Sequence, residues 1–258
     1  PPEPTLPMLR TRSATARVGR AAALLSLLPL VPACRAPALT QDPWSAWRAG
    51  THTLGASTGW AVYEAEVELT GTSGPLTGQS GSDTTDLEPR WGAALKYQYL
   101  LNDDFALGAI VEARTFDPDP VAPLSASIDA DDYTSLHFLL TSRYYFPGLG
   151  ATQRWRPYIG LDLGYVPEVD IDATVDYSPL PVPSEQISLS GDEYWTLSPL
   201  VGMQFLISDR LSLDLGAFYD FPLDSTDDAI TLSNVGSTVD GEVSPEGLIV
   251  FVGVGYAL

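Results

Sequence analysis

Leu248-Ile249-Val250-Phe251-Val252-Gly253-Val254-Gly255-Tyr256-Ala257-Leu258 decides the fold. In an extended chain successive side chains point to opposite sides. Leu248, Val250, Val252, Val254, Tyr256 and Leu258 therefore share one face, which is large and apolar. Ile249, Phe251, Gly253, Gly255 and Ala257 share the other, which is mostly small. Seven earlier segments repeat this period of two, at approximately 60–70, 90–100, 105–116, 134–146, 157–166, 197–207 and 211–221. Each is close to the roughly 9 to 11 residues that a tilted membrane strand needs.

The second face carries the charges. Glu64, Glu66, Lys96, Glu112, Arg114, Arg143, Asp162 and Asp214 all alternate with apolar neighbours. In a soluble sheet such a face is wet. In a closed membrane barrel it becomes the lumen, where acids and bases pair in an interior just wide enough for side chains. These eight residues are the expected ion-pair network, and His137 falls on the same face as Arg143.

The connections alternate in length. Leu101-Asn102-Asp103-Asp104, Pro147 to Arg156 and Ser208-Asp209-Arg210 are short. The stretches 71–88, 117–132, 167–192 and 222–245 are long and contain neither Lys nor Arg. This matches outer-membrane barrels, which have short periplasmic turns and long external loops. The expected architecture is all-β: an eight-stranded antiparallel up-and-down transmembrane barrel over residues 55–258, its external loops strongly acidic and both termini periplasmic.

Composition agrees. The net charge is −20 and Lys96 is the single lysine. A chain so acidic repels nucleic acid, whose phosphates need clustered Lys and Arg. After the first forty residues no apolar run reaches the roughly 18 needed for a membrane helix. Residues 1–34 read as a secretory signal with Met8 as the start. Arg10, Arg12, Arg17 and Arg20 precede the apolar stretch Ala21 to Val31. Leu30-Val31-Pro32-Ala33-Cys34 resembles a lipoprotein box. Cys34 either receives lipid there or simply falls in the signal's end region. Residues 35–54 read as a periplasmic linker, with Trp44 and Trp47 placed at the membrane interface or against the barrel end.

Arg156-Pro157-Tyr158-Ile159-Gly160-Leu161-Asp162-Leu163-Gly164-Tyr165 resembles the PY-x-G-x-G-x-G-Y strand of small OmpA-like and OmpW-like outer-membrane barrels, with Asp162 in place of the middle Gly. Val201 to Phe205, followed by Ser208 to Leu213, is similar to their sixth strand, tight turn and seventh strand. The resemblance implies an outer-membrane location and a monomer surrounded by outer-membrane lipid. A structural or surface-interaction role without catalysis and without a cofactor is the leading expectation. Three alternatives stand beside it: an OmpW-like conduit for small hydrophobic molecules, a lipid-modifying barrel enzyme, and a soluble periplasmic binder. The charged inward faces count against a conduit, whereas Leu200, Leu206 and Phe218 favour it. Asp129, Asp131, Asp170 and Asp172 are weak candidates for bridging divalent cations, since carboxylates are hard oxygen ligands, but they match no calcium-loop motif.

Overall fold

The computed structural model describes residues 43–87, 91–124, 126–150, 152–177 and 181–258. The signal-like segment, Cys34 and the first part of the expected linker lie outside them. Eight antiparallel strands close into a ring: β1 (His52–Ser73), β3 (Trp91–Leu100), β4 (Phe105–Phe116), β6 (Tyr133–Tyr145), β7 (Trp155–Val166), β10 (Tyr194–Leu206), β11 (Leu211–Pro222) and β13 (Ser237–Ala257). The ring closes along β1 and β13, whose register runs from Thr53↔Ala257 to Gly71↔Val239. Below the ring the turns are tight. In one, the Asp104 N–H donates to Asn102 Oδ1 at 2.9 Å.

The outward face is apolar at membrane depth. Leu95, Leu140, Val201, Leu215 and Val252 are exposed there. Aromatic pairs ring both margins. Trp155–Phe205 and Tyr144–Phe146 sit near the short turns, and Trp60–Trp91 and Tyr165–Trp195 near the long connections. Such girdles mark the two interfaces of a membrane barrel.

The long acidic stretches are not plain loops. β2 (Ser80–Leu87) extends the sheet beside β1, and β12 (Thr226–Leu232) extends it beside β13. β5 (Ser127–Ala130), β8 (Val169–Asp176) and β9 (Glu185–Gly191) form a separate three-stranded sheet. Leu69, Val175, Tyr177, Ile230, Leu232 and Val239 make a second apolar core between these pieces. Short aliphatic positions inside the acidic stretches, such as Val175 and Ile230, produce this core. The acids alternate outward from it.

One carboxylate joins the small external sheet to the β12–β13 turn. Glu185 accepts the backbone N–H groups of Ser233 and Asn234, at 2.8 and 3.0 Å, and the Tyr177 hydroxyl at 3.0 Å. Gly236, with φ at 63°, lets the β12–β13 turn bend back to meet it. Partial burial pushes the Glu185 carboxyl upward, but the donors from Asn234, Tyr177 and Ser233 outweigh this and hold it below the usual range.

Two outcomes follow. A folded-state value below the unfolded one stabilises the clamp above the ordinary carboxyl value of about 4.3, and the stabilisation fades as pH falls through the lowered value. Hydrogen exchange at Ser233 and Asn234 should accelerate on acidification in the native chain and be fast and nearly pH-insensitive, after correction for intrinsic exchange, in Glu185→Gln. On the lipid face, Leu140→Arg should cost roughly 2 to 4 kcal/mol in denaturant unfolding from bilayers. A cost near zero would place Leu140 away from lipid.

Candidate functional site

The lumen holds two stacked ion-pair layers. In the layer nearer the short turns, Asp214 Oδ2 receives Lys96 Nζ at 2.5 Å and Arg143 Nη1 at 3.0 Å. Its Oδ1 accepts the Tyr158 hydroxyl at 2.6 Å. The Arg143 guanidinium also lies over the Tyr158 ring, 4.8 Å from its centroid. Tyr158 reaches this place because Gly202 stands beside it on β10. A Cβ there would come within 2.2 Å of the ring.

In the layer nearer the long connections, Asp220 accepts from Arg114, the Tyr63 hydroxyl and the Ser198 hydroxyl. Arg114 Nη2 meets Glu112 Oε2 at 2.9 Å. His137 is buried beside this layer, and neither ring nitrogen has a protein partner. Between the layers a cavity of 30 Å³ is bordered by Lys96, Glu112, Arg143 and Asp162.

The structure thus brings Lys96, Glu112, Arg114, Arg143, Asp162 and Asp214 to the inward face. Tyr63, Tyr158, Ser198 and Asp220 complete the network and were not singled out from sequence. Asp220 carried a signal, since it shares Asp214's alternation on β11.

Glu64 and Glu66 correct the expectation. They point outward. Tyr63 takes the inward position opposite Gly247, where a Cβ would meet its ring at 2.5 Å, and its hydroxyl binds Asp220. Period two then sends Glu64 and Glu66 to the other side. β1 begins at His52, well before residue 60, so these carboxylates stand beyond the Trp60–Trp91 pair, in water and not in lipid. Asp129, Asp131, Asp170 and Asp172 are exposed at the small external sheet. Among the described residues no group of three or more candidate ligands could hold a metal ion.

The periplasmic mouth is filled by the segment before β1. Trp44 and Trp47 are buried and meet edge to face at 6.1 Å. The Trp44 indole donates to the Gln153 carbonyl at 2.7 Å, and Arg156 lies 5.5 Å over its ring. They pack in the barrel end, not at the membrane interface.

At the opposite end lies an apolar chamber of 170 Å³. Its walls include Val67, Leu87, Phe116, Val121, Val169 and Ile171. One side of this chamber lacks a ladder. The β6–β7 pairing stops at Phe138↔Tyr165. The next backbone bond across this gap runs from the Asp131 N–H, just before β6, to the Asp172 carbonyl on β8, at 2.8 Å. Between these points lies roughly 20 Å of wall without ladder pairing. Pro167, which has no N–H to donate, sits at its lower lip. Tyr133 and Ser135 on one side and Val166, Pro167 and Val169 on the other all line the chamber.

No family model matches the chain, and no curated protein does. Solved structures do. The outer membrane protein OprG from Pseudomonas aeruginosa superposes with a TM-score of 0.60 at 16% identity, over 82% of this chain and 97% of that one. The outer membrane protein AlkL, solved in DMPC lipid bilayers, gives 0.51 at 16% identity, over 87% and 95%. The fold is that of small eight-stranded outer-membrane barrels.

The lumen network yields a test. Asp214→Asn leaves Lys96 and Arg143 buried without their counter-charge and should cost about 3 to 5 kcal/mol. Lys96→Met leaves the Arg143–Asp214 pair intact and should cost clearly less. Denaturant unfolding of both variants checks the order, and equal costs would deny Asp214 its place as the hub.

Proposed function

We propose that this outer-membrane barrel is a conduit for small apolar molecules, which it takes up from outside and releases sideways into the outer leaflet. The observation that carries this reading is the apolar chamber whose wall lacks a strand ladder between β6 and β8. Burying an apolar molecule there releases about 25 cal/mol for each Å² removed from water. Below the chamber the Arg114–Asp220 layer, the Asp214 layer and the Trp44–Trp47 plug oppose passage into the periplasm. Leu136, exposed on the outer side of the unpaired wall, offers an apolar lip toward lipid. AlkL and OprG share the fold, which permits this use without establishing it.

Uptake of the hydrophobic dye N-phenylnaphthylamine by cells with an intact lipopolysaccharide leaflet tests it. Expression of the chain should speed uptake several-fold. Val169→Trp, which fills the chamber at its lip, should return uptake toward the control while leaving the heat-dependent gel shift of the folded barrel. Uptake no faster than in cells without the protein would end the conduit reading.

A further inference from the structure

Beyond the first chamber lies a second, of 180 Å³. Leu69, Ile128 and Ile230 line both, so one side chain each from β1, β5 and β12 forms the partition between them. Their side chains are aliphatic and have no hydrogen-bonding atom. They can therefore change rotamer without breaking a polar contact. The far wall of the second chamber includes Val175, Leu232, Val235 and Val239. Tyr177 brings the one polar side-chain atom among its described lining residues, and that hydroxyl is committed to Glu185.

Each lobe is close to the engineered apolar cavity of about 150 Å³ that stays dry and binds one benzene. One lobe alone therefore suits a molecule of about six carbons. The described lining residues of both chambers include no Lys, Arg or His, while Asp119 and Asp192 line the first. An anionic end group would lose its water there, face carboxylates and gain no cation.

We infer that the two chambers work in series as one site for a long, unbranched and uncharged aliphatic chain, threaded past Leu69, Ile128 and Ile230. This rests on the conduit reading and names its cargo. A compact ring system fills one lobe and stops at the partition. A chain of about twelve carbons crosses it and fills both. The Glu185 clamp, which ties the β12–β13 turn over the second chamber, then stands where such a chain first arrives.

The test is methyl NMR on the full chain in nanodiscs, titrated with hexan-1-ol, dodecan-1-ol and dodecanoate at pH 8. Val166 and Val169 report on the first chamber, Val175 and Val239 on the second. Dodecan-1-ol should move both sets along one isotherm. Its affinity should exceed that of hexan-1-ol by at least tenfold, since each buried methylene can add about fourfold. Ile230→Trp and, as a second variant, Leu69→Trp block the partition. Each should bring dodecan-1-ol down to the affinity that hexan-1-ol has for the same variant. The inference is overturned if dodecan-1-ol moves one set alone, if both blocked variants that fold bind it as before, or if dodecanoate binds as tightly. Silence of Val166 and Val169 toward every alcohol would instead remove the conduit reading itself.

Discussion

Inside a bilayer every backbone N–H and C=O must find a partner in the protein. The long β1–β13 ladder meets that demand by joining the first barrel strand to the last. Everything else depends on it. Once the ring is closed, the inward faces are sealed from both lipid and bulk water, and their charges must satisfy one another. That is why Asp214 collects Lys96, Arg143 and Tyr158, and why Asp220 collects Arg114, Tyr63 and Ser198. At the outer rim of the membrane the demand relaxes, because water and lipid headgroups can serve an unpaired backbone group. The wall between β6 and β8 opens there, just above the Phe138↔Tyr165 pair.

Height along the barrel axis reconciles two observations that conflict in sequence. The charged inward positions count against an apolar interior, yet both are present in one molecule. The charges lie at membrane depth, on β3, β4, β6, β7 and β11. The apolar inward positions of β1 continue past them, from Ala65 through Val67 to Leu69, and line the chamber above. A strand longer than the membrane is thick has room for two interiors. β1, with 22 residues, supplies both.

Period two made the barrel legible. The strand at 248–258 is present with the faces read from it, and the alternation of short and long connections gave the orientation. Alternation alone does not say which face turns inward. Where charge marked one face within the membrane, as at Lys96 or Asp162, the lumen could be read. At Glu64 and Glu66 the same rule failed, because β1 had already left the lipid and the inward preference passed to Tyr63. The external sheets were hidden for a related reason. Their strands are short, and Asp and Gly interrupt them, so Val169 to Asp176 reads as an acidic loop until β9 pairs with it. The chamber depends on contacts between segments far apart in sequence, such as Phe116, Ile171 and Val243. No local pattern encodes those contacts.

The closed lower barrel shapes what the open upper part can do. A molecule in the first chamber meets the Arg114–Asp220 layer beneath it, and to descend it would have to separate a buried pair and strip Tyr63 and Ser198 of their partner. Breaking such a pair costs several kcal/mol, and an apolar molecule returns no hydrogen bond in exchange. Sideways, the same molecule passes Val166 and Val169 and meets lipid, an environment as apolar as the one it leaves. In the conduit we propose, the lateral path therefore carries no desolvation penalty, and the ion pairs that hold the barrel together also set the direction of release. On that proposal stability and function share one set of residues, so substitutions that open the lumen should weaken the barrel before they make it a pore.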